Sequence, residues 1–134
     1  MSWSMLVAEV TARAGQRCEY CRMHQALQGG TFHIEHVIPR AHGGATELDN
    51  LALACPACNL HKADRVQVRN PDGLELVALF HPRHDRWSDH FCWQGYQMVG
   101  VTAIGRATIW ALDLNHPRRQ QIREAEEQFG LFPC

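Results

Sequence analysis

Two cysteine pairs of identical spacing constrain this chain more than any other feature: Cys18-Glu19-Tyr20-Cys21 and Cys55-Pro56-Ala57-Cys58. Two residues between thiolates let both sulfurs face one tetrahedral ion from a tight knuckle, and two such knuckles make a closed, structural zinc site. The gap between the pairs exceeds that of a minimal zinc ribbon, so a further unit is inserted between them. A thioredoxin-like redox pair and buried free thiols are the competing readings, and the doubling of the motif argues against both. Cys92 and Cys134 stand alone and read as a buried thiol and a terminal thiol.

The chain's 134 residues fit one compact domain with a small appendage. No stretch reaches the roughly 20 apolar residues that cross a bilayer, and residues 1–10 do not read as a signal peptide. A cytoplasmic protein is expected, where cysteines serve metals rather than disulfides. The formal net charge of −1 argues against a surface that coats nucleic acid wholesale. Of the 13 basic residues only Lys62 is a lysine. Arginine suits bidentate phosphate contacts, although a general arginine bias yields the same count.

Patterning places a helix over residues 4–14, with Met5, Leu6, Val10 and Ala14 near one face, and a short helical turn over 22–28. Residues 31–38 are β-branched and aromatic and read as a strand ended by Pro39. A loop around Gly43-Gly44 leads to a second strand over 48–54, and the second knuckle opens a helix over 57–66. Asn70-Pro71-Asp72-Gly73 is a strong turn and the best internal boundary. It separates a unit at 1–66 from an extension at 67–134. The extension reads as a strand over 74–80, one or two strands over 91–101 around Gly95, and a helix over 103–114 capped by Thr102. A last helix is capped by Asn115, with Pro117 in its first turn and Ile122, Ala125 and Phe129 on its packed face.

The residues fit for chemistry gather around the inserted unit. Glu35-His36 sets a carboxylate beside an imidazole at a strand end. Adjacent strand residues face opposite sides, but local twisting near the end is expected to turn both toward one site. An imidazole titrates near neutrality and suits a general base; a carboxylate suits a hard divalent ion. Asn50 opens the return strand, where it can hold a loop and orient His36. Asn59 follows Cys58 in the first helical turn, and its amide oxygen is a second candidate ligand. Lys62 lies one turn further on nearly the same face, placed to meet a phosphate. Arg40, after Pro39, is a candidate phosphate grip or a solvated loop charge. His33 shares strand parity with Glu35, and either flanks the site or lies on a solvated edge. His61 sits about 200° around the helix from Asn59 and faces away.

Taken in order, Cys18-x-x-Cys21, Ile34-Glu35-His36-Val37-Ile38-Pro39, Gly43-Gly44, Asp49-Asn50-Leu51 and Cys55-x-x-Cys58-Asn59-x-x-Lys62 resemble the HNH endonuclease family in its four-cysteine branch. The resemblance covers residues 18–64. It implies a ββα-metal core stapled by the four-cysteine zinc site; with the elements read above, an α+β chain is expected, with additional strands and two C-terminal helices packed on that core. It also implies a metal-dependent nuclease acting on DNA, with RNA as the alternative substrate. His36 then resembles the general base, Asn50 the residue that orients it, and Glu35 and Asn59 the ligands of one catalytic magnesium or manganese ion. One departure stands out: Glu35 occupies a place usually held by aspartate, which moves the metal contact outward by about one bond length. The rival reading is a non-catalytic zinc-stabilised module that binds nucleic acid or protein.

Beyond the core, residues 79–91 are dense in histidine, arginine and aromatics and resemble a tail found after the core in many bacterial HNH proteins. Trp87, Phe91 and Trp93 are expected to pack this half against the core. Arg83, Arg86 and Arg106 are the candidates for nucleic-acid contact, and His81, His84 and His90 for a further metal.

Overall fold

Helix α1 (Trp3–Arg13) is capped by the Ser2 hydroxyl, which accepts from the Met5 amide at 3.2 Å. It buries Leu6 and Val10 and leaves Met5 exposed. The structure, a computed structural model, describes all 134 residues. After the first knuckle and a 3-10 turn (Gln25–Leu27) comes β1 (His33–His36). Two more 3-10 turns, Arg40–His42 and Leu48–Asn50, carry the chain to β2 (Leu51–Ala54) and α2 (Pro56–Lys62). β1 and β2 pair antiparallel with His36 opposite Leu51 and His33 opposite Ala54. β2 is shorter than expected because residues 48–50 form the 3-10 turn that precedes it.

α2 starts where two signals coincide. The Cys55 sulfur accepts from the Cys58 amide as N-cap, and Pro56 occupies the first turn, where its missing N–H is harmless. It stops at Ala63, whose φ of 51° leaves the helical region, about one turn short of the expected end. The chain then makes β3 (Gln67–Arg69), which the sequence pattern did not announce. β3 pairs with β4 (Leu76–Ala78), so the 70–73 turn closes a hairpin. Helix α3 (Trp87–His90) leads into the hairpin of β5 (Phe91–Gln94) and β6 (Gln97–Gly100). Its two-residue turn places Gly95 at φ +59°, the conformation a type II′ loop requires of its first residue.

α4 (Ala103–Leu112) is capped by Thr102, as expected, through its hydroxyl and the Gly105 amide. α5 (Pro117–Gln128) departs from expectation twice. Its cap is His116, whose Nδ1 accepts from the Arg118 amide, because Asn115 is used elsewhere, bracketing the Met98 backbone at 2.7 and 2.8 Å. Its buried residues are Arg119, Arg123 and Glu126, while Ala125 and Phe129 are exposed.

One continuous apolar core joins both halves. It includes Leu6 and Val10 of α1, Tyr20 of the first knuckle, Leu51 and Leu53 of β2, Phe80, Phe91, Met98, and Leu112 and Leu114. The aromatic packing expected of the second half is present: Phe91 lies 5.3 Å from Phe80 and 5.2 Å from Trp87, and Trp87 lies 5.4 Å from Trp93. Cys92, expected to be buried, is exposed because strand alternation points Phe91 inward and its neighbour out. No helix is long and apolar enough to cross a membrane.

Candidate active site and metal centre

The two knuckles converge. The sulfurs of Cys18, Cys21, Cys55 and Cys58 are all buried and lie within 4.8 Å of one another. The Cys21 and Cys55 sulfurs are 3.7 Å apart. That is too long for a disulfide and close to the edge of about 3.8 Å of a tetrahedron with metal–sulfur bonds of about 2.3 Å. The donor set fits zinc. Hydrogen bonds from Cys18, Cys21 and Cys58 hold the Cys55 thiol far below the usual thiol range, while hydrogen bonds with Cys18 and Cys55 push the Cys21 thiol up and burial pushes the Cys58 thiol up. The first knuckle turns back by placing Arg22 at φ 66° and closing its amide on the Cys18 carbonyl at 2.9 Å. Glu19 fixes it to β2: its amide donates to the Leu53 carbonyl and its carboxylate accepts from the Leu53 amide, both at 2.9 Å.

Regular pairing persists to the end of β1, so alternation is kept there. His36 faces outward, half-buried, and Glu35 faces inward, buried. The His36 Nε2 is 2.8 Å from the Thr46 hydroxyl. Burial, then the Arg40 charge, hold the His36 pKa below its usual value, which disfavours the imidazolium.

Asn50 is buried at the neck of the loop between the strands. Its Oδ1 accepts from the Ile38 amide, and its Nδ2 donates to the Ile38 and Ala45 carbonyls, each at 2.9 Å. Gly44 completes this closure: a Cβ there would land on the Ile38 carbonyl oxygen. From outside, Arg13 braces the same turn through the carbonyls of Leu48 and Leu51 at 2.8 and 2.6 Å.

Lys62 is corrected by the structure. Its side chain is 1% exposed and points into the protein, donating to the Val37 carbonyl at 2.9 Å and lying 3.7 Å from a Glu35 carboxylate oxygen. No phosphate reaches it. The reason is the partner: a lone carboxylate buried on the inner face of β1 needs a cation, and Lys62 lies on the helix that covers that face.

The other Glu35 oxygen accepts from the Tyr20 hydroxyl. Burial pushes the Glu35 carboxyl up to about 7, against the opposing pull of Lys62 and Tyr20. As folded, both Glu35 oxygens are engaged inside the protein, by Tyr20 and Lys62, so of the two residues expected to hold the catalytic ion Glu35 is not turned toward solvent. The other, Asn59, is half-buried, and its side-chain amide makes no hydrogen bond.

Arg40 and His33 are exposed. His61 is exposed as well, beside His116 and Arg118 in a cleft along α2 and α5. Arg83 is corrected too: it forms an ion pair with Glu19 and is half-buried. Arg106 pairs with Asp72 at 2.7 Å on the surface, while Arg86 is exposed. His81, His84 and His90 do not converge on a metal. The His81 and His84 rings stack at 3.8 Å, and the His90 Nδ1 meets the Thr102 hydroxyl at 2.6 Å; only the four cysteines bring their donor atoms together. Sequence reasoning missed Tyr20, Thr46, Arg13 and Arg119. The last donates to the Cys58 sulfur at 3.1 Å, and only its place in a helix with charges at 119, 123 and 126 hinted at a buried polar face.

No curated protein and no solved structure matches the chain. The family model described as HNH endonuclease matches residues 18–65, the span from the first zinc knuckle to the end of the helix that carries the second. The chain therefore carries an HNH endonuclease domain at residues 18–65, with its four cysteines clustered as a zinc site and residues 66–134 lying outside the match.

Proposed function

We propose that this protein is an endonuclease that hydrolyses phosphodiester bonds in DNA, with His36 as the general base and β1, β2 and α2 as its ββα-metal core. The observation that carries the reading is the state of His36. Within the matched span it ends β1, half-buried, with its Nε2 at the Thr46 hydroxyl, and burial and the Arg40 charge lower its pKa, which favours the imidazole form that accepts a proton from water. Asn50 fixes the loop through which His36 and Thr46 meet. Arg40, exposed and close enough to bear on the His36 charge, is placed to meet the scissile phosphate. The divalent ion implied by the HNH resemblance, magnesium or manganese, supplies Lewis-acid stabilisation in such enzymes; in this chain Asn59 is the donor left free for it.

One observation favours the second reading, a non-catalytic zinc-stabilised nucleic-acid-binding module: both oxygens of Glu35 are engaged by Tyr20 and Lys62. Incubation of the zinc-loaded protein with supercoiled plasmid in magnesium, manganese or EDTA separates the two. Nicking that needs a divalent ion and disappears in His36→Ala, with zinc content and folding unchanged, supports the nuclease. DNA binding that is equal in EDTA and magnesium, without nicking, supports the module. Cleavage by His36→Ala at the wild-type rate overturns His36 as base, and a parallel incubation with single-stranded RNA reports substrate class.

A further inference from the structure

α5 is folded with its charged face inward. Arg119 is 5% exposed, and Arg123 and Glu126 are each 1% exposed. Their spacing of four and three residues puts them on one helix face, while Phe129, the bulkiest apolar residue of the segment, lies in solvent. Burying guanidinium groups is costly unless an anion or a set of carbonyls receives them. Arg123 has carbonyls: Leu114 at 2.6 Å and Tyr96 at 2.8 Å. Arg119 has one, Leu112 at 2.9 Å, and its other terminal nitrogen is spent on the Cys58 sulfur at 3.1 Å. Glu126 accepts from the His24 amide at 2.8 Å, just past the first knuckle.

The donor chemistry gives this arrangement its meaning. Four thiolates on a doubly charged ion leave a net charge of about −2 inside the protein, and an arginine donating to a ligating sulfur offsets part of it. The dependence runs both ways. Without an ordered centre at Cys58, Arg119 is a buried guanidinium left with one carbonyl partner, Leu112. We propose that Arg119 is a positioning residue of the zinc centre, so that metal loading and the docking of α5 onto residues 18–65 are a single coupled event. The zinc then does more than staple the inserted unit: it fastens the extension, which the family match does not include, to the domain that it does. The inference does not depend on nuclease activity.

The full-length zinc protein is the test object. Arg119→Met keeps the stem and removes the charge and the donor; Arg119→Lys keeps the charge. Zinc affinity, read by competition with a chromophoric chelator, is expected to fall about 10- to 100-fold in Arg119→Met, the range seen when partners of metal ligands are removed, and to recover in part in Arg119→Lys. In the cobalt-substituted protein, loss of the hydrogen bond to Cys58 is expected to move the sulfur-to-cobalt charge-transfer band to lower energy, which a purely structural role does not do. Should Arg119→Met fail to fold, the wild-type protein decides: on chelation, amide exchange in α5 is expected to rise together with that in α2. Unchanged zinc affinity and an unmoved cobalt band overturn the proposal, as does an α5 that stays protected in the metal-free protein.

Discussion

Replacing Lys62 with methionine removes an ammonium group and leaves most of its stem packed. In the native protein that group is 1% exposed, donates to the Val37 carbonyl and faces a carboxylate that is itself buried. Removing one partner of a buried pair costs about 3–5 kcal/mol, which includes the carbonyl left without its donor. Glu35 has one escape, which is to take up a proton. Its folded pKa is already raised from 4.5 to about 7 by burial, and loss of Lys62 raises it further. A carboxyl whose folded pKa lies above its unfolded value contributes stability below the unfolded pKa and loses it as pH rises through the folded one. The Lys62→Met penalty is therefore expected to be small near about pH 5 and to approach its full size near about pH 8. Glu35→Gln added to the variant, which removes the buried charge and keeps a partner for Tyr20, should return about 2 kcal/mol or more at the higher pH. Urea unfolding followed by tryptophan fluorescence in saturating zinc measures all three. A penalty below about 1 kcal/mol at about pH 8, a penalty equal at both pH values, or no relief from Glu35→Gln would refute the buried pair. DNA binding gives an independent reading: a lysine on a phosphate lowers the slope of log affinity against log salt by about one when removed, and Lys62→Met is expected to leave that slope unchanged.

Other perturbations test the outer face of the site. Asn50→Ala removes three hydrogen bonds from a buried loop neck; at about 1 kcal/mol each it should destabilise the protein by about 2–3 kcal/mol and lower kcat on plasmid more than it raises KM, and a loss under about 0.5 kcal/mol counts against the clamp. Because burial and the Arg40 charge depress the His36 pKa, the acid limb of kcat/KM is expected below the usual histidine value. Arg40→Ala should raise that limb, since a neighbouring positive charge disfavours the imidazolium; a limb that stays put excludes either Arg40 as the neighbour or His36 as the titrating base.

The neck of the loop shows how far a local reading can reach. The sequence marks Asn50 as a residue that holds a loop, and it does so through backbone partners twelve and five residues away. Those partners are close in sequence and the geometry is short-range. Glu35 and Lys62 show the opposite. Helical spacing correctly places Lys62 one turn beyond Asn59, but spacing says nothing of which way a long side chain runs. A lysine of that length reaches solvent or core equally well, and the unpaired carboxylate under the sheet decides the matter. β3 escapes the sequence reading because three residues carry too little alternation to register as a strand, and it forms only because β4 returns to meet it.

By itself the sequence determined the four-cysteine cluster fit for zinc, the order of β1, loop, β2 and α2, and the family model that residues 18–65 match. Each of these rests on short-range spacing: two residues between thiolates, alternation along a strand, a cap and a proline at a helix start. The tertiary structure decided which groups are available for chemistry. It put Glu35 and Lys62 into the core, set His36 against the Thr46 hydroxyl, and left Arg40 exposed and the side-chain amide of Asn59 without a hydrogen bond. It also turned the charged face of α5 inward: Ile122 packs against the core as expected, but Ala125 and Phe129 are exposed while Arg119 is buried with its guanidinium donating to the Cys58 sulfur, 61 residues away in sequence.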